Sequence, residues 1–308
     1  MGASGTGPAL LVLAAGQGTR FGGLKQMEPV GPTGETLLDY AVFDAHRAGF
    51  SRVVFVVGPA FADVFAQRIA SRYAGLLGVT CVSQRLDDLP AGLAPPAQRS
   101  RPWGTLHAVW AARAALDRPF VVINGDDFYG REAYQRMAGF FAEGNPAGTD
   151  AQACCMVAYA LARTLSDSGG VNRGICSIED GWMQGVVEHT GIRALHDGSG
   201  CTGVGPDGRS VALPADAVAS MNIWGFRPAI LAAMGGFLED FLARHPGSLD
   251  AECYLPAFVN QAITAGVARC RVLPTTGGWF GMTYPQDKPA CVAAIRALVD
   301  IGEYPRPA

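Results

Sequence analysis

Unbroken apolar runs alternate with helical periodicity along the first half of the chain. Residues 8–14 (PALLVLA) form a run of strand length that ends in glycines, as expected of a parallel strand buried on both faces. A glycine-dense loop follows. From Thr36, TLLDYAVFDAHRAGF places Leu37, Leu38, Ala41, Val42 and Ala45 on one helical face, with Gly49 as the stop. RVVFVVG (52–58) is a second buried strand, a helix is predicted over about 61–73, and VTCV (79–82) is a third strand. This β-α-β-α-β series argues for a parallel sheet with right-handed crossovers. Residues 86–103 are polar, rich in proline and without periodicity; connectors of that length are usually functional covers or mobile segments. Helix 105–116 then leads into PFVVING, a fourth buried strand that runs into Asp126 and Asp127.

Beyond residue 150 the pattern changes. ACCMVAYAL, GICSIE, MQGVVEH and SMNIWGF are strand-like stretches separated by glycine turns, which predicts a mixed sheet or a smaller β-rich lobe. RPAILAAMGGFLEDFLARH and YLPAFVNQAITAG read as helices, RCRVL as a strand and PQDKPACVAAIRALVDIG as a closing helix. With no internal repeat and no interdomain linker, residues 1–308 are expected to be one domain, 8–150 forming one part and 151–308 a second.

Composition narrows the partner. A net charge of −3 with 17% charged residues supplies neither the basic surface of a nucleic-acid binder nor the acidic bias of a disordered chain, so a small-molecule partner is expected. The eight cysteines show no C-x-x-C pair or metal-ligand spacing and read as buried thiols in a reducing compartment. The N-terminal segment lacks a basic region, and its apolar run is too short to span a bilayer; a cytoplasmic location without membrane contact is expected. Of the 24 basic residues only Lys25 and Lys288 are lysine. Either the skew is chance, or these lysines stand where a compact ammonium cannot be exchanged for a planar guanidinium.

The strongest chemical signal is LAAGQGTRFGGLKQ (13–26), a strand opening into a glycine-dense loop with one arginine and one lysine. Glycines let the backbone approach a phosphate chain and offer its N–H groups, while Arg20 and Lys25 neutralise charge built up in phosphoryl chemistry. G-Q-G-T-R continues into further loop, unlike a dinucleotide fingerprint, and no G-K-[ST] follows. Asp126, following an apolar strand, would sit at the carboxyl edge of the sheet, where α/β ligands bind. Magnesium prefers one or two carboxylates with phosphate oxygens and water, so Asp126 is the first candidate ligand; Asp127 competes, and the pair could also simply form a turn.

The 13–26 segment resembles the signature of nucleotidyltransferases that activate sugar 1-phosphates and related phosphates. GTLHAV (104–109) resembles their approach to base and ribose, NGDDFYG (124–130) their metal loop, and VVEHTGI (186–192) their sugar-hydroxyl segment. The resemblance implies a Rossmann-like α/β fold, with a mixed, mainly parallel sheet flanked by helices and a smaller β-rich acceptor-binding lobe. It implies an NTP and a sugar-like phosphate as substrates, pyrophosphate as a product and Mg2+ as cofactor. Arg20 and Lys25 become the catalytic candidates, and Ala14, Ala15, Gly16, Gly18, Thr19, Trp103, Gly104 and Thr105 the nucleotide-binding ones. Trp103 could stack on a ring or serve packing, and His107 reads as structural.

Three departures bear on the substrate. Trp279-Phe280-Gly281 lacks the aspartate that such enzymes carry after a tryptophan, whereas TYPQDK (283–288) resembles the T-x-P-x-D segment of cytidylyltransferases acting on polyol phosphates. Asp287 is therefore the candidate second metal ligand, with an N-terminal helix carboxylate as its ordinary alternative. The glutamine usual shortly before the GTLHA glycine is missing; the segment leans to UTP, with guanine and thymine nucleotides open. His189 stands where a lysine is common, which moves acceptor-phosphate binding to Arg173 or Lys288, while Glu188, Asn172 and Asn222 are candidates for acceptor hydroxyls. A polyol or cyclitol phosphate acceptor and a non-catalytic nucleotide-binding regulator are the competing functions.

Overall fold

The computed structural model describes residues 5–16, 25–144, 152–166, 168–195, 197–282 and 284–305. Strand β1 (Ala9–Ala14) lies between β2 (Arg52–Val57) and β4 (Phe120–Asn124), parallel to both, and β2 is in turn parallel to β3 (Gly78–Ser83). The apolar run of β1 is explained by its two faces. Leu10, Val12 and Ala14 enter one core while Ala9 and Leu11 enter the other, so every position needs a hydrophobic side chain. Burying each leucine or valine contributes about 1.5–3 kcal/mol.

The first core is covered by α1 (Leu37–Arg47), by the short segments α2 (Ala62–Phe65) and α3 (Ser71–Tyr73), and by α5 (Arg131–Ala142). The second is covered by α4 (Thr105–Ala111), α6 (Ile230–Arg244) and α7 (Leu255–Thr264). Thr36 and Asp39 cap α1 reciprocally, a capping box that fixes its first turn, and Gly49 ends it at φ +87°. The predicted helix at 61–73 is present, its middle over Ala66–Ala70 wound as a π-helix between α2 and α3.

Beyond β4 the sheet turns mixed. In order it runs β3-β2-β1-β4, then β11 (Val218–Phe226), β6 (Gln152–Ala160), β12 (Ala268–Pro274), β8 (Trp182–Ala194), β9 (Cys201–Val204) and β10 (Ser210–Leu213). Strand β11 is antiparallel to β4 and β6, and β12 is parallel to β6. Strand β7 (Val171–Glu179) forms an antiparallel hairpin with β8 and also pairs with β11. The expectation of a mainly parallel sheet thus holds for the first four strands, while most pairings in the second half are antiparallel. A separate small sheet joins β5 (Asp127–Phe128) to β13 (Phe280–Gly281). Against it pack α8 (Lys288–Asp300) and Tyr304, in a third core with Leu37 and Tyr40 of α1.

The eight cysteines are unpaired; six are buried, and Cys81 and Cys176 are partly exposed. Among the described residues no helix is long and apolar enough to cross a membrane.

Candidate active site

The carboxyl ends of β1, β3 and β4 open on a cleft of about 620 Å3, lined among others by Ala15, Gly16, Gln26, Gln84, Gly104, Thr105, Asn124 and Asp126. Four of the predicted nucleotide-binding residues, Ala15, Gly16, Gly104 and Thr105, therefore converge on one space. Ala14 is buried within β1. Gly18, Thr19 and Arg20 lie outside the described residues.

At one wall, Lys25 opens a short turn and donates from Nζ to Asp126 Oδ2 at 2.6 Å. The two residues are 101 positions apart and are joined because β1 and β4 are neighbours. Gly125 makes the close approach possible: a Cβ there would lie 3.2 Å from Val12 and 3.3 Å from Gln26. Gln26 is 6% exposed, and its Oε1 has no hydrogen-bond partner.

Behind this pair runs a polar chain. Trp224 Nε1 donates to Asn222 Oδ1 (3.1 Å), Asn222 Nδ2 to Asn124 Oδ1 (2.7 Å), and Asn124 Nδ2 to Asp127 Oδ2 (2.9 Å). The Tyr129 hydroxyl lies 3.3 Å from the same Asp127 oxygen and accepts the Asn124 N–H. Burial, and then the neighbouring Asp126 charge, push the Asp127 carboxyl above its ordinary range, against the Asn124 hydrogen bond that favours its ionised form. Asn222 has φ +59° where β11 shifts register between Ser220 and Trp224. Its amide bonds Asn124 and Trp224, behind the Asp126–Asp127 loop.

The remaining candidates divide. Trp103 is 2% exposed, donates to the Leu86 carbonyl at 3.0 Å and is covered by the Arg99 guanidinium 3.5 Å from its ring centre. It serves packing in this arrangement. Arg99 in turn donates to the carbonyls of Arg101, Pro102, Ser248 and Ala251, so the end of the 86–103 segment is a pinned wall of the cleft instead of a free cover. His107 is fully buried as expected, held neutral by burial. Its Nδ1 lies 3.1 Å from Gln84 Nε2 and its Nε2 2.9 Å from the Asp88 carbonyl.

On the second half, Arg173 is bonded to Thr164 and lies over the Trp279 ring at 4.9 Å, its pKa lowered by burial and supported by the charges of Asp127 and Glu188. Glu188 is raised by burial and held down by Arg173 and His189. Arg173 thus lies in electrostatic reach of both the aspartate loop and Glu188. Asn172 Oδ1 accepts the Gly191 N–H at 3.1 Å, a hairpin contact. Lys288 pairs with Glu28 at 2.7 Å. Asp287 caps its own turn: Oδ2 accepts the Tyr284 N–H at 2.7 Å and Oδ1 the Ser166 hydroxyl at 3.2 Å.

These donors suit a hard cation. Asp126 offers a partly exposed carboxylate beside Asp127 and the unpartnered Gln26 oxygen, all oxygen ligands of the kind magnesium takes. Among the described residues no cluster of three or more His, Cys, Asp or Glu is present, so phosphate oxygens and water would complete the shell.

The MobA-like NTP transferase domain family matches residues 10–157, the span holding the cleft, Lys25 and Asp126. Three solved structures share the fold over nearly the whole chain. A candidate glucose-1-phosphate thymidylyltransferase from Bacillus anthracis, solved with sucrose, is 15% identical and superposes with a TM-score of 0.60, covering 94% of this chain and 95% of its own. A UDP-glucose pyrophosphorylase in complex with UDP-glucose is 18% identical with a TM-score of 0.56, covering 94% and 98%. The inositol-1-phosphate CTP transferase of T. maritima is 12% identical with a TM-score of 0.60, covering 95% and 97%. No curated protein matches the chain at a significant level. Residues 10–157 thus match an NTP transferase domain, and the chain as a whole has the mixed α/β fold of these three structures, as its motifs imply.

Within the matched residues, a glutamine that is absent just before Gly104 in the chain stands beside Gly104 in space. Gln84 stands at the end of β3, and its Nε2 donates to the Gly104 carbonyl at 3.0 Å and to His107, leaving Oε1 for a ligand. The 86–103 segment separates the two in the chain. A polar residue directly after a parallel strand was the available signal. Gln26, Asn124, Arg101 and Glu252 also line the cleft without having been singled out; Arg101 and Glu252 form a 3.0 Å ion pair there.

Proposed function

We propose that the chain transfers a nucleotidyl group from an NTP to a sugar 1-phosphate or a cyclitol phosphate, releasing pyrophosphate, with a divalent cation held at Asp126. The observation that carries this reading is the 2.6 Å Lys25–Asp126 contact at the wall of a cleft formed by strand carboxyl ends. Such a floor presents one cation and one metal-ligating carboxylate to a triphosphate.

An acceptor phosphate is already mostly dianionic at neutral pH. Its oxygen attacks the α-phosphorus, a new P–O bond forms and the α–β bridging bond breaks, the electron pair leaving with pyrophosphate. No general base is required. When bound, the cation supplies neutralisation of charge on the phosphate oxygens. Lys25 adds a point charge to the same oxygens, the Asn222–Asn124 amides hold the aspartate loop rigid, and Gln84 Oε1 accepts the ring N–H of uracil, thymine or guanine. Cytosine has no such donor, which supports UTP, dTTP or GTP. Arg173, between Asp127 and Glu188, supports acceptor phosphate binding beside Glu188, which would take acceptor hydroxyls. Lys288 is a further anion site if it leaves Glu28. Asp287 would join the cation only by surrendering its cap. The continuous sheet across both halves supports reading residues 1–308 as one unit. The inositol-1-phosphate specificity of one fold neighbour keeps a cyclitol acceptor beside the sugar.

The test is pyrophosphate release from the four NTPs and dTTP against sugar, polyol and cyclitol phosphates with Mg2+. Turnover with a uracil, thymine or guanine nucleotide is expected. NTP binding without release for any pair would favour the regulatory reading.

A further inference from the structure

Each aspartate near the cleft has at least one carboxylate oxygen in contact with another group. Asp126 Oδ2 receives Lys25 Nζ at 2.6 Å. Asp127 Oδ2 receives Asn124 at 2.9 Å with Tyr129 at 3.3 Å, and its Oδ1 is pressed against Gly281, where a Cβ would collide with it. Asp287 spends both oxygens on Tyr284 and Ser166. An ammonium at hydrogen-bond distance holds one of the two Asp126 oxygens, and a cation on the same carboxylate would meet strong repulsion from it. The side chains on this contact are 14% and 25% exposed, so solvent screens that repulsion only in part.

Resting on the nucleotidyltransferase reading, we propose that Lys25 is a displaceable counter-ion that keeps the free protein from binding a divalent cation, so that the cation enters only together with a triphosphate. The phosphate oxygens compete with Asp126 for the ammonium, and Lys25 passes from the carboxylate to them. The same movement frees Asp126 Oδ2 and places the lysine charge on the phosphates. Lysine suits this transfer because its compact charge rides on a flexible stem, whereas a guanidinium would fork onto Asp126 and stay.

Mn2+, which takes oxygen ligands as Mg2+ does, reports binding by loss of its free EPR signal without any turnover. Wild type without nucleotide is expected to bind it weakly. Lys25→Met, or Lys25→Gln if the first variant is unfolded by circular dichroism, should bind Mn2+ tighter by about tenfold or more. Adding Asp126→Asn to either should remove the gain. Equal Mn2+ affinity in wild type and the lysine variants, or a gain that survives loss of Asp126, overturns the proposal. In wild type, UTP, dTTP or GTP should raise bound Mn2+. Nucleotide binding without that rise overturns the counter-ion role alone; failure of every nucleotide to bind overturns the nucleotidyltransferase reading and this role with it.

Discussion

Tyr304 donates a 2.6 Å hydrogen bond to Asp44 Oδ2, tying the segment after α8 to the interior face of α1. Asp44 is 1% exposed, and its Oδ1 has no hydrogen-bond partner. Burial raises its carboxyl to about 7, with Glu303 acting in the same direction and Tyr304, Arg47 and Arg131 opposing. Above the unfolded carboxylate pKa, the native state therefore keeps a proton that the unfolded chain releases. Stability from this group is complete below that pKa and is lost as pH rises through about 7. Asp44→Asn should be near neutral at pH about 4 and stabilising by on the order of 2–4 kcal/mol at pH about 8 relative to wild type, measured by urea unfolding. An identical difference at the two pH values would remove Asp44 as the titrating group.

The Lys25–Asp126 contact separates two variants. Asp126→Asn keeps the shape and loses the charge that a divalent cation requires, so kcat should fall by about a thousandfold while thermal unfolding shifts little. Lys25→Arg should also be slow, since the planar guanidinium fits a bidentate carboxylate better than a point-charge position on phosphates. Steady-state pyrophosphate release decides both; an active Asp126→Asn protein would remove that residue from the cation site.

What the sequence showed and hid follows from range. The strand runs at 8–14, 52–58 and 120–124 were legible because each is apolar on both faces, and Asp126 was legible because it ends one of them. That Lys25 and Asp126 touch depends on strand order. So does Gln84 meeting Gly104, because Arg99 folds the intervening segment onto the carbonyls of Ser248 and Ala251. Strands β9 and β10 escaped notice because four residues apiece, bounded by glycine and polar turns, carry too little alternation. Asn222 reads in sequence as a strand-edge amide for an acceptor hydroxyl; nothing local announces the left-handed backbone that turns its amide toward Asn124.

That backbone makes Asn222 a test of the support behind the aspartates. Asn222→Gly keeps the φ +59° conformation without steric cost and removes the amide linking Trp224 to Asn124. The folded structure should survive with a loss of about 1–2 kcal/mol for the unpaired Asn124 and Trp224 groups, while kcat drops about tenfold through a looser Asp126–Asp127 loop. Asn222→Ala adds left-handed strain and should be less stable than Asn222→Gly by about 1 kcal/mol. Thermal melts and kcat measured on both variants separate backbone from amide. Unchanged kcat in Asn222→Gly would show that the amide does not steady the loop.

Gly104 couples the cleft to the second half of the chain. Its φ is +98°, and an added Cβ would lie 2.6 Å from the Cys253 carbonyl oxygen and 2.8 Å from its nitrogen. Those backbone atoms cannot retreat cheaply, because Cys253 N–H donates to the Trp103 carbonyl at 2.7 Å and its carbonyl accepts Leu106 N–H at 3.0 Å. Gly104→Ala should therefore destabilise by about 2 kcal/mol or more. It should also push the Gln84 contact out of place, since Gln84 is anchored on the Gly104 carbonyl. The expected kinetic signature is a rise in NTP KM larger than the fall in kcat, because the change lies beside Gln84, the proposed base contact, and not at the Lys25–Asp126 pair. Gly104→Ala with wild-type melting and wild-type KM would mean that the 103–106 and 253 backbones can separate, and that Gln84 does not read the base.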